Sequence, residues 1–464
     1  MFSGEFACFQ NDPLAGKRKV TAAVLCAVIL LALIPRIAGV ILYPGTLYHN
    51  DGKEYRDIAE QISMGNGFSV SGYRWYEAVP DVKETVRTDF SRPPVLPLLG
   101  AGLFLLPFDW EASARVTVLI MSVISTLMVF LLGREVFRND TVGVLAAVIY
   151  AFYPYAIYYS LCWCSENLFL IFVCAAWLFL VRALRMEYNW KQCMFCGFFL
   201  ALATMTRPQG AILFVLTGLC ALCMFLAQLR KDKVPAMKLF RGAIVFGITS
   251  LLVFAPWMIR NWYHCGIPSP FSFYGAYSFA QASSDVSYMT YKYVDTPLYK
   301  EKTDEAWDTF HKEKRAALKE KQAFSLIEAD PYWRQWAWEY IRENPDKMAF
   351  IVRNRILHSF RASPNAAAVS PGIVMIMRIY FSIFLVLILS GIWFARKNIA
   401  AISLLLPPLG ALILAVPFLM TLRYRYPFFA PFAAILAAYG FYELCQFLFQ
   451  RKSGERETEP PSQA

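Results

Sequence analysis

Charge is scarce in this chain of 464 residues: Asp, Glu, Lys and Arg together make up only 17%. That scarcity, beside 57% hydrophobic residues, excludes a disordered chain, a disulfide scaffold and a collagenous one. Histidine is scarcer still. The four in the chain form no spacing motif, so His264 in WYHCG stands alone as a candidate metal ligand or proton carrier. Eleven cysteines are present without implying disulfides or zinc. Cys193/Cys196 and Cys220/Cys223 have C-x-x-C spacing, but both pairs sit in apolar runs with no polar second shell. They read as helix-packing residues. Internal repeats are also missing, which counts against a repeat-built transporter.

What the chain has is apolar runs of bilayer length. By length alone it would suggest roughly three soluble domains, but these runs make it an all-α, multi-pass membrane protein. Candidate spans are 20–43, 113–133, 141–160, 165–182, 193–206, 211–229, 241–258, 373–395, 398–420 and 427–449. One more apolar piece, 93–108, is short of the roughly 20 residues a spanning helix needs, and prolines interrupt it at 93, 94, 97 and 107. Charge decides its path. If it dips in and returns, the basic clusters around Arg134, Arg182, Lys231, Arg396 and Arg451 share one side with Lys17–Lys19. If it spans, those beyond it are thrown to the opposite side. The positive-inside rule favours the first arrangement, with about ten spans, both termini cytoplasmic and a plasma (inner) membrane location. Lys17–Lys19 precede a retained signal-anchor without a cleavage site. Arg36, near the outer end of that run, is expected to snorkel to the surface.

Two loop regions then lie outside, 44–112 and 260–372, within a membrane module of 1–449. In the first, Tyr55, Ile58, Ala59 and Ile62 share a helical face before Gly65 and Gly67 end the helix. The second holds helical stretches broken at Asn344-Pro345, the last of them (346–360) amphipathic with Arg353 and Arg355 on its polar side. The tail, 450–464, has a disordered composition. Tyr153, Tyr155, Tyr158, Tyr159 and Trp163 read as an interfacial aromatic belt.

The net charge of +11 is mostly accounted for by cytoplasmic loops and implies no nucleic acid. A few charges break that rule by gathering at outer span ends: Asp51, Glu54, Asp89, Arg92, Glu166, Arg207, Arg260, Arg423 and Arg425. Charges so close to hydrocarbon tend to line substrate paths, and clustered arginines suit a phosphate, which the guanidinium fork binds in two places.

In order along the chain, YHNDGKEYRDIAEQISMGNGFS at 48–69, SRPPVLPLL at 91–99, YPYAIYYSLCWCSENLF at 153–169, TRPQG at 206–210, FAPWMIRNW at 254–262 and RYRYPFFAPF at 423–432 resemble the GT-C superfamily. The likeness is to the family 39 polyprenyl-phosphate-sugar glycosyltransferases, with the protein mannosyltransferases and lipid A aminoarabinose transferases. It implies a GT-C fold of about ten spans with a re-entrant piece at 93–108, and a catalytic Asp at position 51. Two departures stand out: Gly52 follows Asp51 where many relatives have an acid, and Ser91-Arg92 replace a metal-binding Glu. No metal is assigned; Glu54, Asp89 and Glu166 are the acids that could substitute.

The residues support the same chemistry. Asp51 is the expected general base toward an acceptor hydroxyl, assisted by Glu166. Arg92, Arg207, Arg260, Arg423 and Arg425 would hold the donor phosphate, while Glu54, Tyr55 and Asp89 shape the site. One carboxylate base implies direct displacement and inversion. The expected function is sugar transfer from a polyprenyl-phosphate donor to a cell-envelope glycan, lipid or protein acceptor on the extracytoplasmic face. The alternatives are a lipid-linked oligosaccharide ligase or polymerase and, from a different class, a transporter or flippase.

Overall fold

The computed structural model describes residues 13–49, 51–81, 85–361, 371–418 and 422–457. Helices dominate, in the order α1 (Pro13–Leu42), α2 (Gly52–Ser63), α3 (Val95–Leu103), α4 (Trp110–Phe137), α5 (Asp140–Ala151), α6 (Pro154–Tyr159), α7 (Ser165–Arg185), α8 (Trp190–Thr206), α9 (Ala211–Leu229) and α10 (Lys233–Cys265). A loop region follows with α11 (Gly275–Ala282), α12 (Asp285–Lys292), α13 (Tyr299–Glu320), α14 (Leu326–Glu343) and α15 (Pro345–Ser359). The chain then re-enters the bundle through α16 (Pro371–Ala395), α17 (Ile399–Ser403), α18 (Leu406–Leu414) and α19 (Leu422–Glu457).

Seven of these helices are long and apolar enough to cross a membrane. The other three expected spans take different forms. The 141–160 segment divides into α5 and α6 because Pro154 lacks the N–H that would continue the first helix. The 398–420 segment likewise breaks between α17 and α18, with Pro407 and Pro408 opening the second, and 193–206 is covered by the 17-residue α8. The piece at 93–108 forms only the nine-residue α3, far below spanning length. Helix α19 runs on to Glu457, since Gln450, Arg451, Lys452 and Glu455 are good helix formers. The expected disordered tail therefore does not start at 450, and 458–464 lie outside the described residues.

The main core joins α4, α5, α7, α16 and α19. Asn139 caps α5 by accepting from the Thr141 and Val142 backbone amides, which closes the α4–α5 hairpin. Helices α16 and α19 touch backbone to backbone. A Cβ built on Gly391 would overlap the Leu436 carbonyl, and one on Gly440 the Leu387 carbonyl. We expect Gly391→Ala to lower stability by about 1–3 kcal/mol through overpacking, read as earlier thermal unfolding in detergent; an unchanged unfolding temperature would contradict this crossing.

Burial corrects several readings made along single helices. Arg36 does not snorkel: it is 1% exposed and donates to Ser122 Oγ at 2.6 Å and to the Ala32 carbonyl at 2.7 Å. Tyr153, Tyr159 and Trp163 are buried, with Tyr153 and Tyr159 in the main core, so they form no surface belt. Arg355 is fully buried and donates to the Ala282 and Val416 carbonyls, so only Arg353 keeps the polar face of α15. Cys193 and Cys196 are packed, whereas Cys220 and Cys223 are exposed on α9.

A smaller core sits at the loop end of the bundle. There Tyr76 and Ala78 of the first loop pack against α11, α13 and α14. A short hairpin of β1 (Ser69–Ser71) and β2 (Val86–Thr88) leads into that contact, and Arg87 donates to the Phe324 carbonyl at 2.8 Å. The two loop regions thus form one roof over the helix ends.

Candidate active site

Asp51 occupies the N-cap of α2, a position that favours Asp because its side chain usually accepts from the first turn of the helix. Here it makes no such bond. Its two oxygens turn outward instead, one accepting from Arg92 Nη2 at 3.1 Å and the other from Arg423 Nη2 at 2.6 Å. Gly52 explains how α2 can start there. A Cβ at that position would lie 2.8 Å from the Leu47 carbonyl oxygen and 3.1 Å from that of Trp163. The acid that many GT-C relatives carry after the catalytic Asp would not fit.

Each partner of Asp51 is itself held. Asp89 accepts from the Ser91 and Arg92 backbone amides at 3.1 and 2.9 Å, fixing the turn that projects Arg92. The Arg92 guanidinium also donates to Glu54 Oε2 at 2.9 and 2.6 Å and lies over the rings of Tyr55 and Tyr274. Arg423, at the start of α19, donates through Nε to Glu166 on α7. Glu166 is fully buried and pairs with Arg207 Nη1 at 2.8 Å. Arg207 also donates to Ser165 Oγ at 2.9 Å, and that hydroxyl receives the Tyr55 phenol at 3.3 Å. Three acids and three arginines therefore alternate in one cluster drawn from α2, the 89–92 turn, α7, the α8–α9 corner and α19.

The cluster sets the charge state of Asp51. Burial would raise its carboxyl, but Arg92, then Arg423, outweigh that and hold it well below the usual carboxylate range. Burial pushes the Tyr55 phenol up to about 12, so it stays neutral.

Asp51, Arg92 and Arg207 face a cavity of about 550 Å³. Tyr55, Ser165 and Tyr274 add polar groups to its lining, and Ile212, Val215, Leu414, Phe418 and Phe428 add apolar ones. A lining of charged and polar groups together with hydrocarbon suits an amphiphile with a charged head.

Two expected phosphate ligands lie elsewhere. Arg425 donates to the Ser359 and Arg361 carbonyls at 2.8 and 2.9 Å, tying α19 to the end of α15. Positions 423 and 425 diverge by about 200° around a helix, so Arg423 reaches Asp51 while Arg425 does not, and the cavity lining between them is Tyr424. Arg260 donates to the Phe68 and Asp89 carbonyls at 3.2 and 2.7 Å and packs over Phe68, Phe90 and Trp257. It is a clasp between α10 and the first loop. Arg260→Ala is expected to cost on the order of 2 kcal/mol in stability through the lost hydrogen bonds and to leave donor affinity unchanged; a titration showing weakened donor binding in a folded variant would reverse that assignment. Glu54 and Asp89 do not line the cavity and act on it through Arg92.

Sequence reasoning missed Ser165, Tyr274 and Tyr424. Ser165 stands directly before Glu166, and Tyr424 sits between the two arginines of RYRY with its ring beneath Arg207 and Arg423; both were signalled by a charged neighbour. Tyr274 belongs to an aromatic-rich loop segment with no local mark. Among the described residues, no three His, Cys, Asp or Glu side chains are grouped so as to hold a metal ion.

Residues 91–259 match the family model described as dolichyl-phosphate-mannose-protein mannosyltransferase. No curated protein sequence matches the chain. In shape the chain is similar to the Archaeoglobus fulgidus oligosaccharyltransferase in its apo form, at TM-score 0.56 and 16% identity over 96% of this chain and 52% of that one. A second structure, of AglB from the same organism with an inhibitory peptide and a dolichol-phosphate, gives TM-score 0.55 and 16% identity over 96% and 53%. ArnT from Cupriavidus metallidurans bound to undecaprenyl phosphate is similar at TM-score 0.39 and 15% identity over 92% and 77%. The chain spans about half the length of the oligosaccharyltransferase structures. By its helical architecture and its likeness to the two oligosaccharyltransferase structures the chain has the GT-C fold, and through residues 91–259 it matches the dolichyl-phosphate-mannose-protein mannosyltransferases.

Proposed function

We propose that this membrane protein transfers a sugar from a polyprenyl-phosphate-linked donor to a hydroxyl-bearing acceptor at the extracytoplasmic face. The observation that carries the reading is Asp51: an N-cap carboxylate that makes no capping bond, meets Arg92 and Arg423, and lines a cavity of mixed polar and apolar surface. The family match over 91–259 and the dolichol-phosphate held by one structure of similar fold support the lipid-linked donor.

In this reading the lipid chain lies along the wall formed by Ile212, Val215 and Phe428, and the donor phosphate meets Arg92, Arg207 and Arg423. As those guanidiniums turn to the phosphate, Asp51 loses part of the field that depresses its pKa and becomes a stronger base. Asp51 takes the acceptor proton, the acceptor oxygen bonds to the anomeric carbon, and the carbon–oxygen bond to phosphate breaks. The electron pair leaves on the phosphate oxygen, where the arginines stabilise it. One base and one displacement give inversion at the anomeric carbon.

The test is turnover of polyprenyl-phosphate sugars by the purified protein, followed by release of the lipid phosphate. Arg92→Ala is expected to raise the KM for donor about tenfold or more, the loss of one charge-assisted contact. Donor KM unchanged in a folded Arg92→Ala protein would remove Arg92 from the phosphate site. An anomeric product of retained configuration would overturn the single-displacement step.

A further inference from the structure

A second cavity, of about 580 Å³, opens in the roof among α11, α12, α13 and α14. It lies directly behind the first: Gly275, Ser278 and Gln281 of α11 face the catalytic cavity, while Ala280 and the adjoining Ser283 face the second. One short helix separates them. We infer that this second cavity is a docking groove for a carbohydrate acceptor, neutral or amine-bearing. The inference rests on the glycosyltransferase reading for its purpose, though not for its chemistry.

The lining specifies the ligand class. Its walls are helices, whose backbone groups bond internally, so there is no strand edge on which an extended peptide could pair. Recognition must come from side chains. Phe310, Tyr340 and Trp336, whose ring carries the Lys314 ammonium over one face, offer aromatic surface beside the carboxylates of Glu313, Glu339 and Glu343. Aromatic faces pack against the apolar face of a sugar ring, and a carboxylate accepts from neighbouring hydroxyls. Glu313 and Glu343 have no hydrogen-bond or ion-pair partner among the described residues.

A buried group points the same way. Ser283 is 2% exposed and lines the cavity, yet its hydroxyl has no partner among the described residues. Leaving such a group unmatched is unfavourable, and a polyhydroxylated ligand can both donate to it and accept from it.

Charge excludes the opposite class. Asp285, Glu305, Glu313, Glu339 and Glu343 line the groove against only Lys302 and Lys314. Lys302 is already held by Glu301 and Glu305 at 3.3 and 3.0 Å, and Lys314 lies over the Trp336 ring. Asp285 is met from neighbouring α14 and α15 by the Tyr340 phenol and by Lys347 at 2.8 Å. The remaining excess is negative, which repels phosphates and anionic lipid headgroups.

Saturation-transfer NMR on the full chain in nanodiscs tests this with three probes: a glucose-based hexasaccharide, an N-acetylglucosamine-based hexasaccharide and a lysine-rich peptide. We expect saturation of sugar ring protons, weakened about fivefold by Trp336→Ala, the worth of one aromatic contact. The exposed pair Glu313→Gln with Glu343→Gln, which leaves packing intact, should weaken it as well. Binding should persist in Asp51→Asn, so loss of the catalytic reading and loss of the groove are separable. No signal from either sugar, a signal indifferent to both sets of variants, or binding of the peptide alone would overturn the proposal.

Discussion

Asp51→Asn is expected to reduce sugar transfer about a thousandfold, within the range usual for loss of a positioned general base, while leaving donor affinity close to that of the unaltered protein. The amide oxygen can still accept from one of the two guanidiniums that now meet separate Asp51 oxygens, Arg92 at 3.1 Å and Arg423 at 2.6 Å. What it cannot do is take a proton. Single-turnover measurements with saturating donor separate the two effects, and retained turnover would eliminate Asp51 as the base. The pH dependence has a definite sign. Because the folded carboxyl lies below its unfolded value, its pairing stabilises the protein above the ordinary Asp pKa of about 3.9, and that stabilisation is lost as pH falls through the lower folded value. Activity limited by free Asp51 should therefore be flat across the neutral and mildly acidic range. An acid limb near pH 6 would have to come from another group.

Glu166→Gln should have the largest effect on stability. The residue is fully buried, and its Oε1 is shared by Arg207 and Arg423, themselves 6% and 15% exposed in the side chain. Removing its charge leaves two guanidiniums with one fewer counterion in a site shielded from water. A loss of about 3–5 kcal/mol is expected when one partner of a buried pair is removed, visible as early thermal unfolding and as proteolysis of the purified protein. Adding Arg207→Gln should recover part of that loss by deleting the orphaned charge. If Glu166→Gln unfolds at the wild-type temperature, the cluster is not holding α7, α8 and α19 together.

Much of this arrangement was legible because hydrocarbon imposes a length. Apolar runs marked the helices, and charge asymmetry kept 93–108 from being counted as a span, which agrees with the short α3. Asp51, Glu166, Arg92, Arg207 and Arg423 were singled out because each stood where hydropathy disfavours charge, and the structure brings them into one cluster. What the pattern along one helix lacks is knowledge of the neighbour laid over each face. Arg36 reads as a snorkelling residue until α4 supplies Ser122 beside it. Arg425 reads like Arg423 until the last residue of α15 and Arg361 just beyond it are seen to offer it their carbonyls. Arg260 is the same case, since its carbonyl partners at 68 and 89 are remote in sequence. Tyr153 and Tyr159 failed for a related reason: aromatic residues near a helix end suit both a wet interface and a packed core, and only the placement of α16 and α19 decides.

The even match of acids and arginines around Asp51 has a consequence for the proposed transfer, with Asp51 as base and a lipid phosphodiester as donor. Before reaction the donor phosphodiester carries one negative charge and Asp51 another. Afterwards Asp51 is neutral and the departing lipid phosphate carries both. The total is the same at start and finish, so negative charge shifts only from one side of Arg92 and Arg423 to the other. No counterion has to enter or leave a low-dielectric chamber during the chemical step, and the two guanidiniums that bridge the positions need only tilt to follow the charge. A site built this way can remain closed to water and salt while it turns over, with ion exchange deferred to the release of the spent carrier.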